Sequence, residues 1–145
     1  MATIKLEVVS PDRMVYSKDI SMLIVRSTGG ELGILPHHAP LVTGLIPHAM
    51  RVRLTNSDRD EELIAVAGGF MEVTPEKITV LATAAETAIE IDINRAEQAK
   101  ARAEERIAQF HQDPEKAKDI DIDRAQLALD RALARLQAAG KGSEE

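Results

Sequence analysis

The amino-acid sequence predicts an α+β fold. An N-terminal antiparallel β-sandwich or flattened barrel spans residues 1–87, and a C-terminal antiparallel α-helical hairpin spans residues 88–145. Three observations carry this prediction. Up to about residue 85, apolar and polar residues alternate, and turn-forming residues interrupt the chain at short intervals. After Ala88 that punctuation stops, and two long stretches rich in Ala, Glu, Arg and Lys follow, all strong helix formers. The two stretches are near copies: IDINRAEQAKARAEERIAQ from Ile91 and IDIDRAQLALDRALARLQA from Ile120 share nine of nineteen positions.

The strands come first. Ile4, Leu6 and Val8 alternate with polar residues, as do Met50, Val52 and Leu54, with Arg51 and Arg53 pointing the other way. Ile78 and Val80 repeat the pattern. Strict alternation marks a strand with one buried face. SMLIVRS and ELIAVAGGFMEV are continuous apolar runs, suited to strands covered on both faces. Turns are expected at Pro11-Asp12, Gly29-Gly30, Pro36, Pro40, Pro47, Asn56-Ser57-Asp58, Gly68-Gly69 and Thr74-Pro75. Many short strands with frequent turns indicate a sandwich or barrel.

The helices are expected at about 92–110 and 121–139, since neither stretch contains Gly or Pro. HQDPEKAKD between them reads as a loop, Gly140 as a C-cap, and the last residues as a frayed tail. Asp92 and Asp121 each stand where a carboxylate can cap free amides, with Ile91 and Ile120 before them as hydrophobic staples. Ala96, Ala99, Ala103, Ile107 and Phe110 share a face of the first helix. Leu129, Leu133 and Leu136 form a stripe with Ile122 on the second, and the alanines let those leucines approach closely. Capping and packing leave the arginines unexplained. Arg95, Arg102 and Arg106 repeat the spacing of Arg124, Arg131 and Arg135, and each set lies along one helical stripe. Such a stripe is either a solvated face with partners such as Glu105 and Asp130, or a set of guanidinium forks for phosphate or carboxylate.

Composition bounds the function. The chain of 145 residues is 44% hydrophobic but 2% aromatic, so its core is aliphatic. The net charge is −6; up to Ala88 there are 8 basic and 11 acidic residues, and beyond it 10 and 13, so each part carries −3. That balance, with so few rings, argues against nucleic-acid binding. No cysteine is present, which excludes disulfides and thiolate metal sites. His37, His38, His48 and His111 are scattered and make no metal-ligand pattern. No nucleophile, base and metal set suggests a catalytic site, and the GxxxxGK[ST] phosphate loop has no match. There is no apolar run of the ~20 residues that span a bilayer, and the N-terminus does not read as a signal peptide. A cytoplasmic protein is expected.

GGELGILPHHAPL and AGGFMEV in the strand region, followed by the Ala/Arg-rich hairpin opening on IDINRA, identify a family. Over almost its whole length the chain resembles the epsilon subunit of bacterial F-type ATP synthases, in the ATP-binding, Bacillus-like branch. The resemblance implies a flattened ten-stranded sandwich that binds the gamma subunit and sits on the c-ring, with Glu31 and His38 in the ring-facing loop. It implies a non-catalytic central-stalk subunit, peripheral to the cytoplasmic face of the bacterial plasma membrane. Its hairpin either folds against the sandwich or extends along gamma towards the alpha and beta subunits, where it inhibits ATP hydrolysis. The family's ATP motif, Ile/Leu-Asp-x-x-Arg-Ala, is matched by Ile91, Asp92, Arg95 and Ala96. Its remaining ligand positions fall on Glu86, Arg102, Arg131 and Arg135. ATP is thus implied as a regulatory ligand, with or without Mg²⁺. The alternative is the same subunit with a hairpin used only for docking. Two features depart from the family pattern: a longer loop between the helices, and Pro36-His37-His38 where proline-glycine-histidine is usual.

Overall fold

The computed structural model describes residues 2–55, 60–113, 115 and 120–140. Ten strands precede two helices: β1 (Ile4–Val9), β2 (Met14–Ile20), β3 (Met22–Ser27), β4 (Gly30–Ile34), β5 (Leu41–Leu45), β6 (His48–Arg53), β7 (Glu61–Val66), β8 (Gly69–Val73), β9 (Lys77–Ala82), β10 (Ala85–Thr87), α1 (Ile93–Gln112) and α2 (Ile122–Ala138). The expected Asn56-Ser57-Asp58 turn, Pro114 and the tail beyond Gly140 lie outside the described residues.

The strands form one sheet in the order β10-β7-β6-β3-β5-β8-β9-β1-β2, with β4 paired to β3. The sheet folds over on itself, so that its two ends, β10 and β2, lie side by side. Nearly all ladders are antiparallel, as alternation and short turns predict. The exception is β1 with β9, which run parallel in the register Leu6↔Ile78 and Val8↔Val80. A parallel pair needs a long connection, and here most of the domain supplies it. That pairing of distant segments leaves no local signal.

The alternating residues meet in the core. Ile4, Leu6, Val8, Met50, Val52, Ile78 and Val80 are all buried, with Leu23, Ile34 and Met71 among them. ELIAVAGGFMEV is two strands rather than one run. Gly68 and Gly69 take φ of +105° and +144° and turn β7 into β8. A Cβ on Gly69 would stand 2.2 Å from the Leu81 carbonyl oxygen, so glycine is required where β8 crosses β9.

The helices begin one residue later than expected, and the first runs two residues further. Asp92 and Asp121 are their N-caps; each carboxylate accepts from the amide three residues on, Arg95 N and Arg124 N, at 3.1 Å. α2 lies on β6 and β7, and α1 packs chiefly on α2. Ala96 and Ala103 of α1 are buried and Ile107 and Phe110 half-buried, as the alanine face predicts. The leucine stripe of α2 behaves otherwise. Leu136 is buried, Leu129 half-buried and Leu133 exposed, whereas Ala125, Ala132, Ala134 and Ala138 are all buried. The reason is position: α2 is the middle layer, covered on two sides, and small residues let both neighbours come close. Ile91 packs with Ala49, Ala65 and Ala138, so it covers the far end of α2 and the sandwich as well as its own helix start.

Candidate functional site

The sandwich hands over to the hairpin at β10 and a single 3-10 turn, Ala88–Glu90. This junction is tied down locally. Glu90 accepts hydrogen bonds from the Thr87 amide and hydroxyl at 3.3 and 2.8 Å, and it pairs with Arg13 between β1 and β2. Hydrogen bonds from Thr87, with help from Arg13, hold its carboxyl below the usual range against the opposing effect of burial.

Glu86 lies two residues before the turn, in the middle of β10. It pairs with Ala65 in the β10–β7 ladder, which directs its carboxylate towards α2. Arg135, one turn before the end of α2, places Nε 3.0 Å from one carboxylate oxygen and donates from its terminal nitrogen to the other at 3.4 Å. Arg131 stands one turn earlier on the same helix. These three side chains line a cavity of about 30 Å³, closed below by Ala65, Ala67 and Ala85. The spacing of four along α2 puts both guanidinium groups on one side of the helix, over the β10 edge.

The other expected ligand positions do not line this cavity. Arg95 and Arg102 are exposed on α1. Asp92 is occupied in capping. Ile91 and Ala96 are buried, Ala96 completely. The antiparallel arrangement puts the start of α1 and the end of α2 at the same end of the hairpin, so all of these except Arg102 gather near the junction. In this conformation the polar cluster itself consists of Glu86, Arg131 and Arg135. Its walls went unread in the sequence, because Ala65, Ala67 and Ala85 belong to strands and carry no chemical signature.

Glu31 and His38 do not share a loop. Glu31 is a strand residue of β4, opposite Arg26 of β3, and lines a groove with His48 and Arg51. His38 lies beyond the other end of β4, exposed, with its Nδ1 2.7 Å from the Ala39 carbonyl oxygen. Next to it His37 adopts φ +64°, the left-handed region, and its amide donates to the Pro75 carbonyl at 3.0 Å. The histidine standing in for the usual glycine therefore keeps a backbone conformation that glycine adopts without strain.

One surface escaped the sequence reading. On the outer face of β5, β8 and β9, Phe70 sits directly opposite Leu81, with Val42 diagonal to it. They are 64%, 55% and 72% exposed. Their alternation partners point inward, so the pattern counts these strands correctly but leaves three large apolar groups outside. Among the described residues no cluster of His, Asp or Glu could hold a metal ion, and no helix is long and apolar enough to cross a membrane.

The described residues thus form a ten-stranded sandwich joined through one short turn to a two-helix hairpin. Family models for the ATP synthase delta/epsilon chain match both parts: the beta-sandwich domain over residues 3–88 and the long alpha-helix domain over residues 90–140. The chain belongs to the ATP synthase delta/epsilon chain family, as a non-catalytic subunit of the epsilon type. It is 54% identical to the ATP synthase epsilon chain of Pelotomaculum thermopropionicum, over 96% of this chain and 97% of that one. With the epsilon chain of Bacillus pumilus it shares 46% identity over 97% and 100%. In fold it is similar to a chain in the cryo-EM structure of the Euglena gracilis mitochondrial ATP synthase OSCP/F1/c-ring. The TM-score is 0.72 at 22% identity, covering 96% of this chain and 82% of that one.

Proposed function

We propose that this chain is an ATP-sensing rotor subunit of the central stalk of an F-type ATP synthase. Its sandwich couples the gamma subunit to the c-ring, and its hairpin restrains ATP hydrolysis when ATP is scarce. The observation that carries the ATP reading is the pairing of Arg135 with Glu86 at the junction of sandwich and hairpin, with Arg131 lining the same cavity. Two guanidinium groups one turn apart on α2, one of them paired with a carboxylate of the sandwich, make an anion site that exists only while the hairpin is folded.

A cavity of about 30 Å³ is far too small for a nucleotide, whose pockets measure roughly 300–1,000 Å³. ATP binding therefore requires the end of α2 to lift from β10, with the phosphates taking the place of Glu86 on Arg135. Arg95 and Arg102 approach from α1, and the backbone around Ile91 and Asp92 meets the base or ribose. Mg²⁺ accompanies the phosphates where it binds at all. Because the site needs both domains, ATP stabilises only the folded hairpin. A hundredfold excess over Kd contributes about 2.7 kcal/mol, enough to switch states that differ by a few kcal/mol. As ATP falls, the hairpin extends along gamma and reaches the alpha and beta subunits with its arginines exposed.

The outer patch of Val42, Phe70 and Leu81 suits the gamma subunit, since a rotor subunit must grip its shaft through a permanent apolar contact. The c-ring contact is assigned to the turn carrying His38, with exposed Leu35 beside it, and to Glu31. These contacts hold the subunit peripherally at the cytoplasmic face of the bacterial membrane. The test is calorimetric titration of ATP into the isolated chain, repeated with Arg131→Ala and Arg135→Ala. Each loss of a charge-assisted contact is expected to weaken binding by about tenfold or more. Unchanged affinity in both variants would remove these residues from the site.

A second reading rests on the ion pair already in place: Arg135 serves to lock the folded hairpin on Glu86, and the arginines otherwise dock on protein. A distance label between hairpin and sandwich separates the two. ATP shortens that distance or stabilises it under the first reading and leaves it unchanged under the second.

A further inference from the structure

This function leaves the contacts of His48 unexplained. This residue is 5% exposed, at the start of β6, and lines a groove with residues of α2. β3 changes partner at this level: Met22–Ile24 pair with β6, and Ser27 pairs with β5. Arg26 stands at the switch. Its carbonyl accepts from Ile46 N at 3.2 Å, and its amide would otherwise face a gap between the two partner strands. The imidazole fills that gap. Nε2 accepts from Arg26 N at 2.9 Å, and Nδ1 lies 2.6 Å from the Ile46 carbonyl oxygen. A carbonyl can only accept, so Nδ1 carries the proton, and the ring is neutral with both nitrogens satisfied. A side chain thus completes a backbone ladder.

α2 forms the roof. A groove of about 370 Å³ beside the ring is lined by His48, Pro47 and Arg26 from the sandwich and by Asp130, Leu133 and Gln137 from α2. A second groove adds Glu31 and Arg51. The charged groups around the ring are therefore Arg26 of β3, Glu31 of β4, Arg51 of β6 and Asp130 of α2.

We propose that His48 is a proton-sensitive latch for the hairpin: protonating its ring breaks the contact with Arg26, disturbs the floor under α2, and releases the hairpin in acid. A proton on Nε2 would set donor against donor and bury a charge. Burial already pushes the His48 ring down from its ordinary value, the Ile46 carbonyl opposes that, Arg26 adds to it and Glu31 counters it. The sign follows. A histidine depressed in the folded form costs nothing above its unperturbed pKa of about 6.5, and the docked state loses stability as pH falls below that. Lifting α2 returns the ring to water and raises its affinity for a proton, so release and protonation are linked.

This inference rests on the proposed ability of the hairpin to leave the sandwich, and the experiment keeps the two apart. The chain has no cysteine, so Asp12→Cys and Glu104→Cys provide a clean pair of dye positions on the sandwich and on α1. Energy transfer is followed without nucleotide from pH 7.5 to 5.0 in full-length protein, in the parent and with His48→Gln. The parent is expected to lose transfer with a midpoint below about 6.5, while His48→Gln stays flat. A flat parent curve, an identical curve in His48→Gln, or melting of the β-sheet signal in step with the dyes would each overturn the proposal. If His48→Gln does not fold, the ring proton resonances of His48 in the parent decide: they must titrate at the same midpoint as the dyes, and a separate midpoint overturns it. ATP addition at pH 7.5 tests the parent reading alone.

Discussion

At the scale of single residues, chemistry and backbone pull in different directions at His37. At φ +64° an L-residue carries a steric cost of roughly 1–2 kcal/mol that glycine avoids, against a glycine entropy cost of about 0.5–1 kcal/mol. His37→Gly is therefore expected to raise stability by about 0.5–1 kcal/mol, seen as a higher urea midpoint at unchanged slope. Gly69 is the opposite case. At φ +144°, with Leu81 O 2.2 Å from any Cβ, Gly69→Ala is expected to prevent a folded sandwich, read as loss of the cooperative unfolding transition. The proline-glycine-type signals were visible in the sequence at both places. Which of the two would tolerate a side chain was not, because the decisive atom on Leu81 comes from another strand. Likewise Arg135 could be singled out by its spacing. Its partner Glu86 is 49 residues away, and only folding joins them.

At the scale of elements, the two copies of the repeat share one property and divide another. Both open on a capping aspartate. Asp121→Ala is expected to cost about 1 kcal/mol of hairpin stability, seen as lost helical signal in circular dichroism on warming. Asp92→Ala should cost a similar amount and, under the proposed function, also weaken ATP binding, so titrating both variants separates capping from recognition. The rest of the repeat differs because the helices occupy different layers. α1 covers one side of α2, while α2 has neighbours on both. The helical stripe on α1 was legible, since one buried face leaves one periodicity. The stripe on α2 was misjudged, since two buried faces at different angles blur the pattern, and alanine hides among helix formers. The β-sandwich shows the same contrast. The alternation of β1, β6 and β9 reads directly, whereas the parallel β1–β9 ladder and the handover at Arg26 do not.

At the scale of the whole molecule, two interfaces of different strength meet. The sandwich core is built of fully buried Ile, Leu, Val and Met, each contributing roughly 1.5–3 kcal/mol. The hairpin seat holds Ala49, Ala65 and Ala138 around Ile91, with half-buried Leu63 and Ala139 beside them, and each alanine methyl contributes only about 0.8 kcal/mol. The Glu86–Arg135 pair, partly exposed on both sides, adds on the order of 0–1 kcal/mol. Docking is thus weak beside the core, as a switch requires. Amides of α1 and α2 are expected to exchange with solvent at lower opening free energy than those of β1, β6 and β9, measured by native-state hydrogen exchange. Ala65→Leu should wedge α2 off the sheet while leaving the sandwich folded, seen as hairpin-specific loss of protection.

By itself the sequence determined the class of each half, the caps and the family, because these depend on local periodicity, local turns and contiguous motifs. Tertiary structure alone decided which residues meet: the pairing of Glu86 with Arg135, the parallel ladder, the imidazole set into the β3 ladder, and the alanine seat of α2. These contacts join segments far apart in the chain. Their partners are set by how layers stack, and no spacing along the chain records that.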